Sequence, residues 1–332
     1  MEVGKVPESV LKRSVFKQIR TKREEVLIHP GVGEDCAALK LADDEVFVMS
    51  TDPITGTTQE IGTFAVHITA NDLASAGAEP VGILLTVLLP DGCEEGELKA
   101  MMAQIESECH KLNIEIIGGH TEVTRAVTQP VVTVTGVGKA KDGRVISTGG
   151  AKPGQDIVVT KWVGLEGTAI IARSQEKALK SRYSQDFIDQ AKDCIRYLSV
   201  VDDARIAMQV GVSAMHDVTE GGIFGAFWEM AQASGVGLTV DLKKVPLRQE
   251  TVEICEFFDL NPYQLISSGS MLMACDRGYD VVEALRKEGI RASVVGKFTD
   301  SHDKIIHYDE NETRYLEPPK PDELYKVETG QA

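Results

Sequence analysis

The spacing of apolar and polar positions changes several times along the chain, and each change predicts an element. Residues 94–112 place Leu98, Met101, Met102, Ile105, Cys109 and Leu112 three and four apart, which predicts a helix with one buried face. The run Val81–Leu89 is apolar throughout and closes on Pro90-Asp91-Gly92, which predicts a fully buried strand. Residues 8–28 alternate charged and apolar positions at helical spacing, ending at His29-Pro30-Gly31-Val32-Gly33, where proline and two glycines stop a helix. Residues 46–51 form a short apolar strand, and 61–78 a helix of small and apolar residues. Residues 114–118 and 130–139 are two more strands. This order predicts an α+β domain, with helices on one face of a mixed sheet.

Turn formers collect at Ser147-Thr148-Gly149-Gly150-Ala151-Lys152-Pro153-Gly154, the best candidate for a boundary. The second half predicts strands at 155–161, 237–241, 270–275 and 293–299. Its helices are predicted at 165–178, 185–198, 201–210, 223–234, 249–258 and 278–289. The expected division is a first domain over 1–148, a second α/β domain over 155–312, and an extended or loose tail over 313–332.

Composition narrows the function classes. The 332 residues carry 35 basic and 51 acidic side chains, a formal charge of −16, which argues against a nucleic-acid or anionic-membrane partner. No apolar run approaches the roughly 20 residues needed to span a bilayer. The N-terminus lacks a secretory pattern, so a cytoplasmic location is expected. The six cysteines contain no CxxC pair, which favours reduced thiols over a disulfide framework or a zinc site. P-loop, Rossmann and GxSxG signatures are missing.

What remains is a series of acidic residues beside glycines and turns. In order they are Gly33-Glu34-Asp35-Cys36-Ala37-Ala38, Ser50-Thr51-Asp52-Pro53, Asn71-Asp72, Gly118-Gly119-His120-Thr121-Glu122 and His216-Asp217-Val218-Thr219-Glu220-Gly221-Gly222. Carboxylates at strand ends can converge on Mg²⁺, and glycines let backbone N–H groups approach phosphate oxygens. Each motif also has a plain structural reading. Asp52-Pro53 suits a turn, Asn71-Asp72 a capping pair, and Asp217 with Glu220 a capping box.

The order and spacing of these motifs resemble the aminoimidazole ribonucleotide (AIR) synthetase superfamily, which includes thiamine-monophosphate kinase, selenide water dikinase and the hydrogenase maturation protein HypE. The likeness covers about residues 8–310. It is nearest to HypE through the stretch from Gly221 to Gly237, then Val245-Pro246-Leu247-Arg248, Leu260-Asn261-Pro262 and Ser268-Gly269-Ser270.

The resemblance implies a PurM-like two-domain fold, with the N-terminal sheet pairing with a second subunit into a β-barrel, hence a homodimer. It implies ATP and Mg²⁺ as cofactors, with Asp35, Asp52 and Asp72 holding the metal. Asn71, Gly118, Gly119, Thr121 and Glu122 would line the nucleotide; Asp217, Thr219, Gly221 and Gly222 would join them from the second domain. Asp35, Asp52, His120 and Asp217 are the expected catalytic groups, His120 standing where many members have an acid or amide. The implied chemistry is phosphoryl transfer from ATP to an amide or carboxamide oxygen, the amide borne by a small molecule or a protein. The alternatives are a small-molecule kinase and a non-catalytic nucleotide-binding protein. HypE carries its amide on a cysteine at the end of a mobile tail. This chain ends in Val327-Glu328-Thr329-Gly330-Gln331-Ala332, and its last cysteine, Cys275, falls in a predicted strand, so no such self-carried amide is expected.

Overall fold

The computed structural model describes residues 4–31, 37–55, 60–141, 143–309 and 311–328. The chain divides into two compact units, residues 1–74 with 78–145 and residues 75–77 with 146–332.

The first unit runs β1 (Gly4–Lys5), α1 (Glu8–Val10), β2 (Val26–Ile28), β3 (Ala38–Leu39), β4 (Glu45–Ile54), α2 (Ile61–Ser75), β5 (Glu79–Pro90), α3 (Glu95–Leu112), β6 (Glu115–Thr124) and β7 (Val131–Lys141). Five strands form one mixed sheet in the order β1-β6-β5-β7-β4, with β5 and β6 parallel, while β2 and β3 form a separate ribbon. Helix α3 matches its predicted span because both ends are specified. Glu94 and Glu97 form a capping box, and Asn113 takes the left-handed conformation (φ 55°) that closes the helix. Leu98, Met102, Ile105 and Cys109 are fully buried on the predicted face.

The predicted helix over 8–28 is mostly absent. Helical structure ends at Phe16, after a π-helical turn over Leu11–Phe16. Beyond it the backbone is claimed by buried acids. Glu106 accepts the N–H groups of Arg20 (3.0 Å) and Thr21 (2.7 Å), and Glu115 accepts that of Arg23 (2.6 Å). These long-range bonds replace the intrahelical ones that the local pattern favours.

Strand β6 is longer than predicted, because Gly118-Gly119 does not end it. Gly119 has φ +142°, and a Cβ there would sit 2.0 Å from the Leu85 carbonyl oxygen. Only glycine lets β6 run this close to β5 through the register shift that precedes it.

The second unit runs β8 (Asp156–Thr160), α4 (Leu165–Ser174), α5 (Glu176–Leu179), α6 (Gln185–Lys192), α7 (Val201–Val210), β9 (Ala214–Val218), α8 (Gly222–Ser234), β10 (Gly237–Asp241), α9 (Gln249–Phe257), β11 (Ser270–Cys275), α10 (Gly278–Lys287), β12 (Ala292–Thr299), β13 (Lys304–His307), β14 (Thr313–Tyr315) and α11 (Leu324–Glu328). Its seven-stranded sheet has the order β14-β13-β10-β12-β8-β11-β9, antiparallel except between β10 and β13. Phe227 and Met230 of α8 pack with Leu238, Val240, Leu272 and Phe298 in one core of this unit.

Residues 313–328, expected to be extended or loose, are partly structured. Residues 313–315 pair with β13, and α11 buries Leu324 and Val327 against Ile171, Leu179, Leu260 and Leu265. No helix among the described residues is long and apolar enough to cross a membrane.

Candidate functional site

In the first unit the carboxylates of Asp52 and Asp72 come together on one face of the sheet. Side chains alternate along β4, so Ser50 and Asp52 are half-buried while Phe47, Met49 and Thr51 are exposed. The inward face is the one that α2 covers, since Leu73 of α2 packs with Val46 and Val48 of β4. Asp72 lies on the same helix, one residue after the fully buried Asn71. The Ser50 hydroxyl donates to Asp72 Oδ2 and lies 3.5 Å from Asp52 Oδ2. One hydroxyl therefore stands beside two acids that are 20 positions apart in the sequence.

These two carboxylates and one hydroxyl are hard oxygen donors, the set that suits Mg²⁺ bound by one or two carboxylates plus phosphate and water. Among the described residues no group of three or more metal-ligating side chains occurs. The third expected acid, Asp35, lies outside the described residues, as does the whole of its Gly33–Cys36 stretch.

The glycine–histidine motif on β6 divides between the two faces. The register carries Asp52 across the sheet to Val134, Leu85 and then Gly119. Thr121 is buried on this inward face. His120 and Glu122 point outward, opposite the exposed Thr86 and the half-buried Leu88, and pair with each other (Nε2–Oε2 3.1 Å). Within one chain they face away from Asp52 and Asp72. Strand alternation is the physical reason that His120, expected among the catalytic groups, lies on the opposite face of the sheet from Asp52.

The second unit holds the other motif in a rigid turn. Asp217 is buried on the edge strand β9, and His216 next to it lies on the face that α8 covers and contacts Glu229 of α8 (2.8 Å). The Thr219 carbonyl accepts the N–H groups of Gly222 (3.1 Å) and Ser267 (3.3 Å). Gly221 and Gly222 take positive φ (81° and 61°), and a Cβ on Gly222 would lie 2.6 Å from the Tyr263 carbonyl oxygen. The turn thus delivers the chain into the N-terminus of α8, where backbone N–H groups and the helix dipole favour an anion.

Two further acids lie near this turn that no motif points to. Glu166, fully buried on α4, accepts the Ser268 N–H (3.3 Å). Burial raises its carboxyl to about 7 against the pull of Ser268, and the charges of Asp322 and Asp217 add to the rise. Asp322, in the tail, accepts the Gly221 N–H at 2.7 Å. Ser50, by contrast, was legible, since it stands two positions before Asp52 and shares its strand face.

A mixed-sheet unit with a paired-acid site, followed by a unit with a glycine turn at a helix N-terminus, defines a two-domain class. Residues 33–140 and 152–309 match the N- and C-terminal domains of the family described as AIR synthase related protein, and the chain belongs to that family. Within it the chain belongs to the HypE branch of the PurM-like superfamily. The carbamoyl dehydratase HypE of Rhodobacter capsulatus is 31% identical over 296 residues, covering 87% of this chain and 84% of that protein. A crystal structure of HypE in complex with ATP has the same fold, with a TM-score of 0.81, 21% identity and 97% of each chain covered. A thiamine-monophosphate kinase of Methanospirillum hungatei is 29% identical over 215 residues, covering 65% of this chain and 68% of the kinase.

Proposed function

We propose that this protein is an ATP- and Mg²⁺-dependent enzyme that activates an amide or carboxamide oxygen by phosphoryl transfer. The observation that carries the reading is the Ser50-linked pair of Asp52 and Asp72. Asp52 and Asp72, with Asp35, would hold Mg²⁺, whose charge offsets the repulsion between a triphosphate and a chain of net charge −16. Gly118, Gly119 and Thr121 would line the nucleotide with Asn71. The backbone of the Thr219–Gly222 turn would meet phosphate, with Asp217 beneath it. In the reaction the amide oxygen attacks the γ-phosphorus, the bond to ADP breaks, and the oxygen leaves with phosphate as the nitrogen gives up its protons. The chain's task is positioning and charge compensation.

The amide would be presented on a small molecule or a separate protein. All five cysteines among the described residues are buried. Burial pushes the Cys275 thiol up to about 11, so it is neither exposed nor ionised enough to carry a group. The names of the HypE relatives favour amide dehydration, and the likeness to thiamine-monophosphate kinase supports a kinase as the second reading. Phosphorus NMR of turnover mixtures separates the two. ADP and free phosphate, with no phosphorylated acceptor, are expected with an amide, and a phosphorylated organic product would favour the kinase.

A homodimer completes the reading. Phe47 (52% exposed) and Met49 (62% exposed) lie on the outward face of β4, the edge strand of the first sheet. An apolar sheet face left open beside an unpaired edge suits a second copy. His120 and Glu122 lie on this same face, so a role for them in catalysis would be exercised there. Changing both Phe47→Glu and Met49→Glu is expected to convert a dimer to a monomer in light scattering without lowering helix content. An unchanged mass would remove this face from the interface.

A further inference from the structure

Three backbone donors from three segments converge on one tail carboxylate. Asp322 Oδ2 accepts the N–H of Gly221 (2.7 Å), and Oδ1 accepts those of Ile266 (3.1 Å) and Leu324 (2.9 Å). Only 3% of Asp322 is exposed. Its neighbour Glu323 accepts the Asn261 N–H at 3.0 Å and contacts Lys326. Leu324 and Val327 then anchor the following turn in an apolar core. Asp322 is thus fixed on both sides, and it reaches directly into the glycine turn.

A buried carboxylate is a costly way to satisfy an amide, since ionised groups lose hydration on burial. Burial does push the Asp322 carboxyl upward, against its three donors, and Glu220 adds to the push. The arrangement compensates through charge-assisted bonds and through the dipole of α8, whose N-cap is Gly221. What it achieves is conformational. Gly221 and Gly222 are consecutive left-handed residues with many accessible alternatives when unrestrained. Tying the Gly221 N–H to Asp322, which also holds the Ile266 N–H, removes those alternatives.

We propose that Asp322 is a positioning residue for the nucleotide site, holding the Thr219–Gly222 turn in the shape that presents its other backbone groups to phosphate. The proposal rests on the reading of that turn as phosphate-binding. A competing role, with Asp322 standing in for the phosphate until nucleotide displaces it, is disfavoured by the geometry. Displacement would strand the Ile266 and Leu324 amides along with that of Gly221.

The test uses the full chain and Mg·ATP, with binding measured by calorimetry well below the melting transition and turnover measured in parallel. Asp322→Ala is expected to weaken Mg·ATP binding by about tenfold or more, the scale of a lost charge-assisted bond, and to raise KM far more than it lowers kcat. Asp322→Asn, which keeps one acceptor oxygen, should fall between Asp322→Ala and wild type. Leu324→Ala loosens the same tail without touching Gly221, and should lower the melting temperature while leaving affinity near that of wild type. Equal loss of affinity in Asp322→Ala and Leu324→Ala at matched destabilisation would reduce Asp322 to a structural residue and overturn the proposal. A gain of affinity in Asp322→Ala would overturn it in favour of competition with phosphate. Failure of the wild type itself to bind Mg·ATP would instead bring down the nucleotide reading, and this proposal with it.

Discussion

Replacing Asp52 and Asp72 together by asparagine is expected to abolish Mg²⁺-dependent ATP turnover, lowering it by about 100-fold or more, the scale of removing charge stabilisation from phosphoryl transfer. The same double variant should melt within about 3 °C of wild type, the shift that a loss of about 1 kcal/mol causes in a domain of this size. The reasoning is local. Asparagine keeps the shape of aspartate and an oxygen to accept the Ser50 hydroxyl, so the tie between β4 and α2 survives. What disappears is the negative charge on the two groups proposed to hold the metal. If the two acids serve only to pin α2 to the edge strand, asparagine does the same work, and both ATP affinity and turnover stay unaltered in this variant. Calorimetry with a non-hydrolysable ATP analogue, run beside thermal melts, distinguishes the two results.

The second large effect concerns pH and Glu166. Its carboxyl stands at about 7 in the folded chain, raised first by burial, against a value of 4.5 when solvated. The folded state therefore binds more protons than the unfolded state between these values. Stability is highest below about pH 4.5 as far as this group is concerned, declines as pH rises toward 7, and is level above that. The difference amounts to about 3 kcal/mol at most, from 1.36 kcal/mol per unit. Glu166→Gln cannot ionise and still offers an oxygen to the Ser268 N–H. It is expected to be more stable than wild type at pH 8 and to match it near pH 5. Urea denaturation at both pH values measures this, and a difference that is the same at both would mean that Glu166 is not held neutral by its surroundings.

Much of this architecture was legible wherever local pattern and tertiary packing agree. Helix α3 carries its own caps and a clean apolar face, and Val81–Leu89 lies within the central strand β5. The reading failed where distant groups take over the backbone. Residues 17–25 look helical, but the N–H groups of Arg20, Thr21 and Arg23 are bound by Glu106 and Glu115 from α3 and β6. Gly118-Gly119 reads as a strand end because a glycine pair usually is one, whereas here it admits a close parallel neighbour.

The site shows the same division. Spacing and resemblance picked out Asp52 and Asp72, which the fold joins, and Gly221-Gly222, which it bends into a rigid turn. Spacing could not reveal that His120 faces away from Asp52, since that depends on the register of three intervening strand pairings. Nothing local marks Glu166 or Asp322, because a lone acid in a helix or a proline-rich tail becomes notable only once its partners are in place.

A chain this acidic can bind a nucleoside triphosphate only with a metal to offset the charge. The most direct test is calorimetric titration of the wild type with a non-hydrolysable ATP analogue, once with excess Mg²⁺ and once with a chelator. Saturable binding with Mg²⁺ and its loss with the chelator are the predicted results. Binding of equal strength without the metal, or none with it, would contradict the account.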